Sequence, residues 1–143
     1  MLFRSAKLTV TNTGKAAGKE IVQWYLSAPA KKMDKPNEEL KGFAKTGLLQ
    51  PGKSQTITIV LEATDLASFD TKTSSWIAES GDYELRAGSS SANIKQRAAF
   101  HVARDITTER DSPQVTPKVQ IKELTKESSA FIYELNNFGI ISR

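Results

Sequence analysis

The carboxylates of this sequence are the first side chains to consider as chemical groups. A pair of carboxylates about 5–10 Å apart can act as acid and as base or nucleophile in a hydrolysis. None of the candidates stands in a motif that demands such a role, and aspartates near turns typically accept hydrogen bonds from backbone amides a few residues away. We therefore predict turn and surface roles, and no catalysis, for Glu38, Glu39, Asp65, Asp70, Glu79 and Asp82.

Other kinds of catalytic or cofactor site lack the residues that they require. The chain has no cysteine and one histidine, His101, which excludes thiolate catalysis and zinc sites built from two or more Cys or His ligands. No Gly-x-Ser-x-Gly segment occurs, and the glycines form neither a phosphate-binding nor a dinucleotide-binding motif. The sequence therefore predicts no catalytic residue, no metal and no cofactor.

Two tryptophans are the remaining candidates for a binding role. An exposed aromatic ring can stack on the face of a sugar, and Trp76, which follows Ser75, is a candidate for partial exposure. Trp24 lies within the apolar run 21–26, which fits the core or its rim better. Packing in the core or at an interface is the favoured interpretation of both residues. A sugar contact by Trp76 or Trp24 stays open as the alternative.

The net charge of +4 raises the question of a nucleic-acid partner. The basic residues are interleaved with acids, and the densest cluster, Lys31, Lys32 and Lys35, lies in a loop-like stretch between two prolines. Nucleic-acid binders more often carry a basic stripe with interleaved aromatics. We therefore predict an exposed, lysine-rich connection and no nucleic-acid partner.

Apolar stretches long enough for a membrane are missing from the sequence. No run approaches the roughly 20 residues that cross a bilayer, so we expect no membrane partner. Arg4 and Lys7 interrupt the apolar stretch that a signal peptide needs, and residues 1–7 are not expected to act as one. The compartment of the protein stays open on this basis.

Short segments with a period of two, separated by turn residues, predict an all-β fold of six or seven antiparallel strands. Apolar and polar residues alternate in 5–12 and 54–61, and Pro51-Gly52 marks a turn between them. This pattern is typical of two sheets packed as a β-sandwich, here expected over residues 5–103. The expected strands are 5–12, 21–26, 40–49, 54–61, 75–78, 82–87 and 96–102.

Large apolar residues must supply the core of a domain that has no disulfide. We expect Leu40, Phe43 and Tyr83 to be buried for this reason. Residues 104–143 are expected to form a C-terminal tail that is partly irregular, because 105–117 is polar and contains two prolines. Short strand character returns in 119–124, and 128–143 carries an apolar patch that fits either a helix or an extended segment.

The segments just described also match a family pattern in the right order. Residues 10–25, VTNTGKAAGKEIVQWY, resemble the "V-x-N-T-G-x-x-x-G-x-E-V-V-Q-x-Y" segment of the fibronectin type III-like domain that closes many family 3 β-glucosidases and β-xylosidases. Residues 36–45, PNEELKGFAK, resemble that domain's "P-x-K-E-L-K-G-F-x-K". LQPG at 49–52 and DLASFD at 65–70 follow, and then come Trp76, Glu79, Gly81, Tyr83 and the 88–94 segment.

This resemblance implies an immunoglobulin-like or fibronectin type III-like antiparallel β-sandwich. It implies a non-catalytic accessory domain that packs, within one polypeptide, on the catalytic domains of a glycosidase acting on β-linked glycosides. The catalytic residues of that family lie in other domains, so none carries over to this sequence. Parent enzymes of the family are often periplasmic or secreted. The alternative function is a carbohydrate-binding module that uses exposed aromatics.

The sequence departs from the family pattern at its start. The family's domain begins with a further segment that forms its first strand, so the resemblance predicts a sandwich that lacks this strand. A strand edge left open in this way recruits partners. Either the tail or a second copy of the chain is then expected to cover the edge, and self-association is the favoured interpretation.

Overall fold

Nine strands and one four-residue helix make up residues 4–112, the part of the chain that the computed structural model describes. The six or seven strands predicted are thus too few, because two short strands, β5 and β9, give no period that sequence alone can detect. The strands are β1 (Arg4–Thr11), β2 (Ile21–Ser27), β3 (Glu39–Lys45), β4 (Ser54–Leu61), β5 (Ser68–Asp70), β6 (Ser75–Ala78), β7 (Gly81–Ser90), β8 (Asn93–Val102) and β9 (Ile106–Arg110), and the helix is α1 (Ala63–Leu66).

The strands form three antiparallel hydrogen-bonded sheets, one more than the two predicted, and the predicted all-β, fibronectin type III-like sandwich is confirmed. The largest has four strands in the order β3-β2-β7-β8, and β1 and β4 form a two-stranded sheet. A smaller sheet has the order β5-β6-β9. The core lies between these layers, where alternate residues of β2 and β7 meet residues of β4, β6 and β8: Val22, Trp24, Leu26, Ile57, Leu61, Ala78, Tyr83, Leu85, Ala87 and Val102.

Strand β2 shows why the sequence folds this way. Val22, Trp24 and Leu26 are buried, whereas the residues between them are exposed or half-buried. Such alternation places every second side chain on the core face of the sheet. Strand β3 pairs with β2 and ends at Lys45, whereas the predicted strand ended at Leu49. A bulge opposite Trp24 and Tyr25 shifts the register between the two strands.

The predicted turn at Pro51-Gly52 is confirmed. The Lys53 N–H donates to the Gln50 carbonyl at 3.0 Å, and Gly52 has a φ of 77°. A positive φ at the third position of a turn favours glycine because any other side chain would be strained there. This turn delivers the chain into β4, which begins at Ser54 and ends at Leu61 as predicted.

The predicted domain boundary after residue 103 falls too early. Residues 106–110, which the sequence places in the tail, form β9, and β9 pairs with β6. The compact unit that contains the sandwich continues to Asp111. Strand β9 lies at a sheet edge and forms through its backbone pairing with β6. It therefore does not require an apolar alternation, which explains why its polar sequence resembled a linker. The tail segments predicted at 119–124 and 128–143 lie outside the described residues.

Candidate functional site

Two of the candidate carboxylates hold turns, as predicted. The Asp65 Oδ2 atom accepts the Glu62 N–H at 2.8 Å, at the start of α1. The Asp70 Oδ1 atom accepts the Lys72 N–H at 3.0 Å, and its Oδ2 atom accepts the Thr73 hydroxyl at 2.8 Å. The Thr73 hydroxyl and the Lys72 amide lower the pKa of the Asp70 carboxyl. The carboxylates of both aspartates therefore accept local hydrogen bonds that hold turns.

Glu79, for which the sequence predicted a turn or surface role, is a buried carboxylate. Its side chain is 1% exposed, and its Oε2 atom lies 3.1 Å from the Nζ atom of Lys35, which is 3% exposed. The Lys32 backbone N–H donates to Glu79 Oε1 at 2.7 Å. The ion pair thus fixes the connection between β2 and β3 against the β6–β7 turn. Lys35 is buried, so the prediction of an exposed lysine-rich connection is wrong at this residue.

The same turn is held by two further groups. The Tyr83 hydroxyl donates to the Glu79 carbonyl at 2.8 Å, and burial, with the charges of Glu79 and Asp105, raises the pKa of Tyr83 to about 12. Asp105 accepts from the Lys32 Nζ atom at 2.6 Å and from the Ser80 N–H at 2.8 Å. Lys32, and then Ser80, hold the pKa of the Asp105 carboxyl well below its usual range. These contacts hold the β6–β7 turn in place.

Charged residues form a network on the outer face of the four-stranded sheet. Arg86 Nε contacts Glu84 Oε1 at 2.5 Å, and Arg86 Nη1 contacts Glu38 Oε2 at 2.8 Å. Arg97 adds a second contact to Glu84 at 2.8 Å. Arg86 and Arg97 lower the pKa of the Glu84 carboxyl, and Glu38 and Glu84 raise the pKa of Arg86. The remaining candidates pair singly, Glu39 with Lys41 and Asp82 with His101.

Apolar side chains lie beside this network, and we call Ile21, Tyr25, Leu40 and Phe43 the β3 face. In the β2–β3 ladder Phe43 stands opposite Gln23, and Leu40 stands opposite Tyr25, so these side chains point away from the core. Phe43 is 74% exposed and Leu40 is 52% exposed. The prediction that both residues are buried in the core is therefore wrong, whereas Tyr83 is buried as predicted.

The two tryptophans occupy different environments. Trp24 is 5% exposed and packs in the core, so it offers no ring face to solvent. Trp76 is 39% exposed on β6, opposite Phe69 of β5, which the sequence analysis did not single out. Their ring centroids are 5.5 Å apart and their planes meet at 59°. The pair is exposed but tilted, and therefore does not form a flat platform.

The cavities give little room for chemistry between carboxylates. Glu39 and Asp65 line one cavity together with Lys35, and its volume is about 10 Å³, at the lower limit of what a single water molecule needs. A groove of about 640 Å³ is lined by a single carboxylate, that of Asp105, which already accepts from Lys32 and Ser80. Within residues 4–112, no group of three or more His, Asp or Glu side chains is placed to hold a metal ion.

No helix within the described residues is long and apolar enough to cross a bilayer. Besides Leu48 and Val60, the exposed large apolar side chains of the described residues belong to the β3 face and to the Phe69–Trp76 pair. Both consist of large apolar side chains kept at the surface by their strand register. Such patches usually mark contact sites.

Comparison with known proteins gives a consistent result. The fibronectin type III-like domain family matches residues 20–91. A β-glucosidase A of Butyrivibrio fibrisolvens is 42% identical over 117 residues, which cover 78% of this chain and 14% of that enzyme. The chain thus spans about one seventh of the length of such relatives.

Solved structures agree with the sequence comparison. The β-glucosidase 3B of Thermotoga neapolitana, in complex with α-D-glucose, superimposes with a TM-score of 0.71 at 42% identity, covering 75% of this chain and 15% of that one. A GH3 β-glucosidase of Bifidobacterium adolescentis superimposes with a TM-score of 0.67 at 29% identity, covering 81% of this chain and 16% of that one.

Proposed function

This chain belongs to the fibronectin type III-like domain family, and from that premise we propose that it is the accessory domain of a family 3 glycoside hydrolase acting on β-linked glycosides. In this role it carries no catalytic residue and packs against the catalytic domains of the enzyme. The observation that carries the proposal is the β3 face, because Phe43 and Leu40 are held at the surface by their register with β2.

The chemistry of the β3 face fits a contact between domains. Interfaces commonly have an apolar centre with aromatic residues and a polar rim. Here Phe43, Leu40 and Ile21 form the apolar part. The neighbouring network of Glu38, Glu84, Arg86 and Arg97 is internally paired, so it could be brought next to another domain without leaving an unpaired charge.

The arrangement of the carboxylates supports a non-catalytic role. Hydrolysis of a glycoside needs two carboxyl groups flanking a space large enough for the sugar. Glu39 and Asp65 share only a cavity of about 10 Å³, and Glu79 is neutralised by Lys35 in the core. We expect the purified chain to show no turnover of aryl β-glucosides or β-xylosides. Turnover that one Asp or Glu substitution in this chain abolishes would contradict the proposal.

The packing role is tested in a chimera. This chain replaces the matching segment of the Butyrivibrio fibrisolvens enzyme, and Phe43→Ser is compared with Val60→Ser, a matched exposed apolar residue on β4, 53% exposed. We expect Phe43→Ser to lower the melting temperature of the chimera, because truncating an interface anchor commonly costs about 2 kcal/mol or more.

Two controls complete that experiment. In the isolated chain both substitutions should change the free energy of unfolding by no more than about 0.5 kcal/mol, as is usual at exposed sites. Val60→Ser should leave the chimera unchanged. Equal effects of the two substitutions in the chimera would mean that the β3 face is not the contact surface.

The second candidate function, a carbohydrate contact at Trp76, is favoured by one observation only. Trp76 and Phe69 are both exposed, although their ring planes meet at 59° and do not form one flat surface. Fluorescence titration with cello-oligosaccharides tests it, because Trp24 is buried and Trp76 would report alone. Saturable quenching that Trp76→Ala abolishes would support this function, and an unchanged spectrum would leave Trp76 as an interface residue.

A further inference from the structure

The outer edge of β1 has no strand beside it in the part of the chain that the structure describes. There β1 pairs with β4 alone, over the full register from Arg4–Leu61 to Thr11–Ser54. The core-facing residues Ala6, Leu8 and Val10 are only partly buried. The equivalent residues of β2, which has a neighbour on each side, are at most 5% exposed. The edge of β1 therefore leaves core surface uncovered.

The direction of the backbone groups of β1 follows from the end of the ladder. The Asn12 N–H donates to the Lys53 carbonyl at 2.9 Å, and the Asn12 carbonyl accepts the Gly52 N–H at 2.7 Å. In an antiparallel ladder such residues alternate along the strand. Even-numbered residues of β1 thus bond to β4, and the N–H and C=O groups of the odd-numbered residues point to the open edge: Ser5, Lys7, Thr9 and Thr11.

An apolar cavity lies next to this edge. Its volume is about 140 Å³, and Ala6 of β1, Leu61 of β4 and Phe100 of β8 are among the residues that line it. A strand added to β1 would run past this cavity and cover the half-exposed side of Leu8 and Ala6. The occupant of this edge must therefore be a strand that runs antiparallel to β1 and carries small or aliphatic residues on one face only.

We propose that the occupant is a second copy of this chain, whose β1 pairs antiparallel with β1 across a two-fold axis at Leu8. In this register Leu8 stands opposite Leu8 of the second copy, and Ala6 stands opposite Val10, so that the apolar faces of both strands stay on the core side. The four outward-pointing residues of each strand then form the hydrogen-bonded pairs, Ser5 with Thr11 and Lys7 with Thr9.

Strand length and charge together select this register among the antiparallel ones. An axis at Ala6 or at Thr9 would pair only five residues of β1 with the second copy, whereas an axis at Leu8 pairs seven. An axis at Lys7 would place two lysines directly opposite each other, and like charges in that position are destabilising. An axis between Lys7 and Leu8 would set the apolar face of one strand against the polar face of the other. With the axis at Leu8, each Lys7 faces Thr9, and β1 contains no acidic residue. The length of β1 and the charge of Lys7 thus specify the pairing together.

Substitutions at Thr9 test the pairing in the full chain. Thr9 is exposed, and its hydroxyl makes one contact of 3.3 Å to Thr56, so changes there should leave the fold intact. Thr9→Lys creates two lysine–lysine contacts per dimer and should raise the dissociation constant roughly two- to thirtyfold, whereas Thr9→Glu should lower it by a similar factor. Sedimentation equilibrium over a range of concentrations measures both.

Cysteine cross-linking tests the register directly, because the chain contains no cysteine. Two residues facing each other in a non-hydrogen-bonded pair have Cα atoms about 4.5 Å apart, within the range for a disulfide. Leu8→Cys should therefore form an oxidised dimer. Thr9→Cys is the matched control, since its two copies would be diagonal neighbours about 7–8 Å apart, too far for a strain-free bond.

Each outcome decides for or against the proposal. A dimer that Thr9→Lys weakens, Thr9→Glu strengthens and Leu8→Cys cross-links supports it. A chain that stays monomeric at every concentration overturns it, as would be found if another segment of the same chain covered the edge. A dimer that responds equally to both Thr9 substitutions, or in which Thr9→Cys cross-links as well as Leu8→Cys, forms through another surface or register and also overturns it.

Discussion

The charge of Glu79 is expected to matter more for stability than any other side-chain charge of the domain. Glu79 and Lys35 are both almost fully buried, and their ion pair is the means by which each charge is tolerated there. Glu79→Gln keeps the shape and the acceptor for the Lys32 N–H but leaves Lys35 facing a neutral amide. We expect a loss of about 3 kcal/mol in the free energy of unfolding, because removing one partner leaves a buried charge uncompensated.

A double variant isolates the cause of that loss. Lys35→Met combined with Glu79→Gln removes the uncompensated Lys35 cation. Most of the lost stability should therefore return, since replacing both members of a buried pair is often nearly neutral. Urea denaturation of the two single variants and the double variant measures the coupling. Additive losses would show that the two residues act independently, contrary to the structure.

Tyr83 should report alkaline unfolding. Burial raises its pKa to about 12, from an ordinary value near 10. Because the folded state favours the neutral phenol, its contribution to stability is fully present below about pH 10 and is lost as the pH rises toward 12. Tyrosinate absorbance should thus titrate late for Tyr83. Tyr83→Phe should remove this late step, and a wild-type titration complete near pH 10 would contradict the burial argument.

At the scale of single elements, the β7–β8 hairpin depends on Gly88. A Cβ atom at this position would lie 2.1 Å from the Asn93 carbonyl oxygen, where the register between the strands shifts. Gly88→Ala must push the two backbones apart, and we expect it to cost about 1–3 kcal/mol, as overpacking usually does. Gly18→Ala is the control, since a Cβ there meets nothing within 4 Å. Thermal melts of both variants test this.

The elements best predicted from sequence are those whose local signals agree with their surroundings. Strand β4 has the strict alternation of a half-buried strand and a Pro-Gly turn before it, and both of its ends were correct. β5 and β9 were missed because three to five residues at a sheet edge are set by pairing with β6, which no local pattern encodes.

The candidate site residues show the same difference between local sequence signals and long-range pairing. The turn roles of Asp65 and Asp70 are local and were predicted, whereas the burial of Glu79 depends on Lys35, 44 positions earlier in the chain, and was not. Phe43 was placed in the core because it is large and apolar. Its position opposite Gln23 instead turns it outward, and the bulge beyond Gly42 brings Leu40 opposite Tyr25 on the same outward face. Only the pairing of strands decides that.

At the scale of the whole molecule, acid should weaken the fold through three carboxyls in separate parts of the chain. The pKa values of Asp105, Glu84 and Asp70 are all lowered, by Lys32, by Arg86 and by Thr73 respectively. A lowered pKa means that the contribution to stability is present above the unfolded value of about 4 and is lost as the pH falls below it. The free energy of unfolding should therefore decrease steadily below about pH 4.

Asp105→Asn provides the check on that slope. The variant keeps an acceptor for the Ser80 N–H but cannot lose a proton, so its stability should depend less on pH in the acidic range than that of the wild type. Chemical denaturation at a series of acidic pH values measures both. Identical slopes would mean that the tie between Lys32, Ser80 and Asp105 contributes nothing in solution.

The pairing of β1 with β4 also sets a waiting time during synthesis. Thr9 and Thr56 are 47 positions apart in the chain, and ribosomes add about 5–20 residues per second. The finished β1 must therefore remain without its partner for roughly 2–9 s, while its aliphatic face is open to other nascent chains. Translation stalled before β4 emerges should leave β1 open to protease, and stalling well beyond residue 61 should protect it.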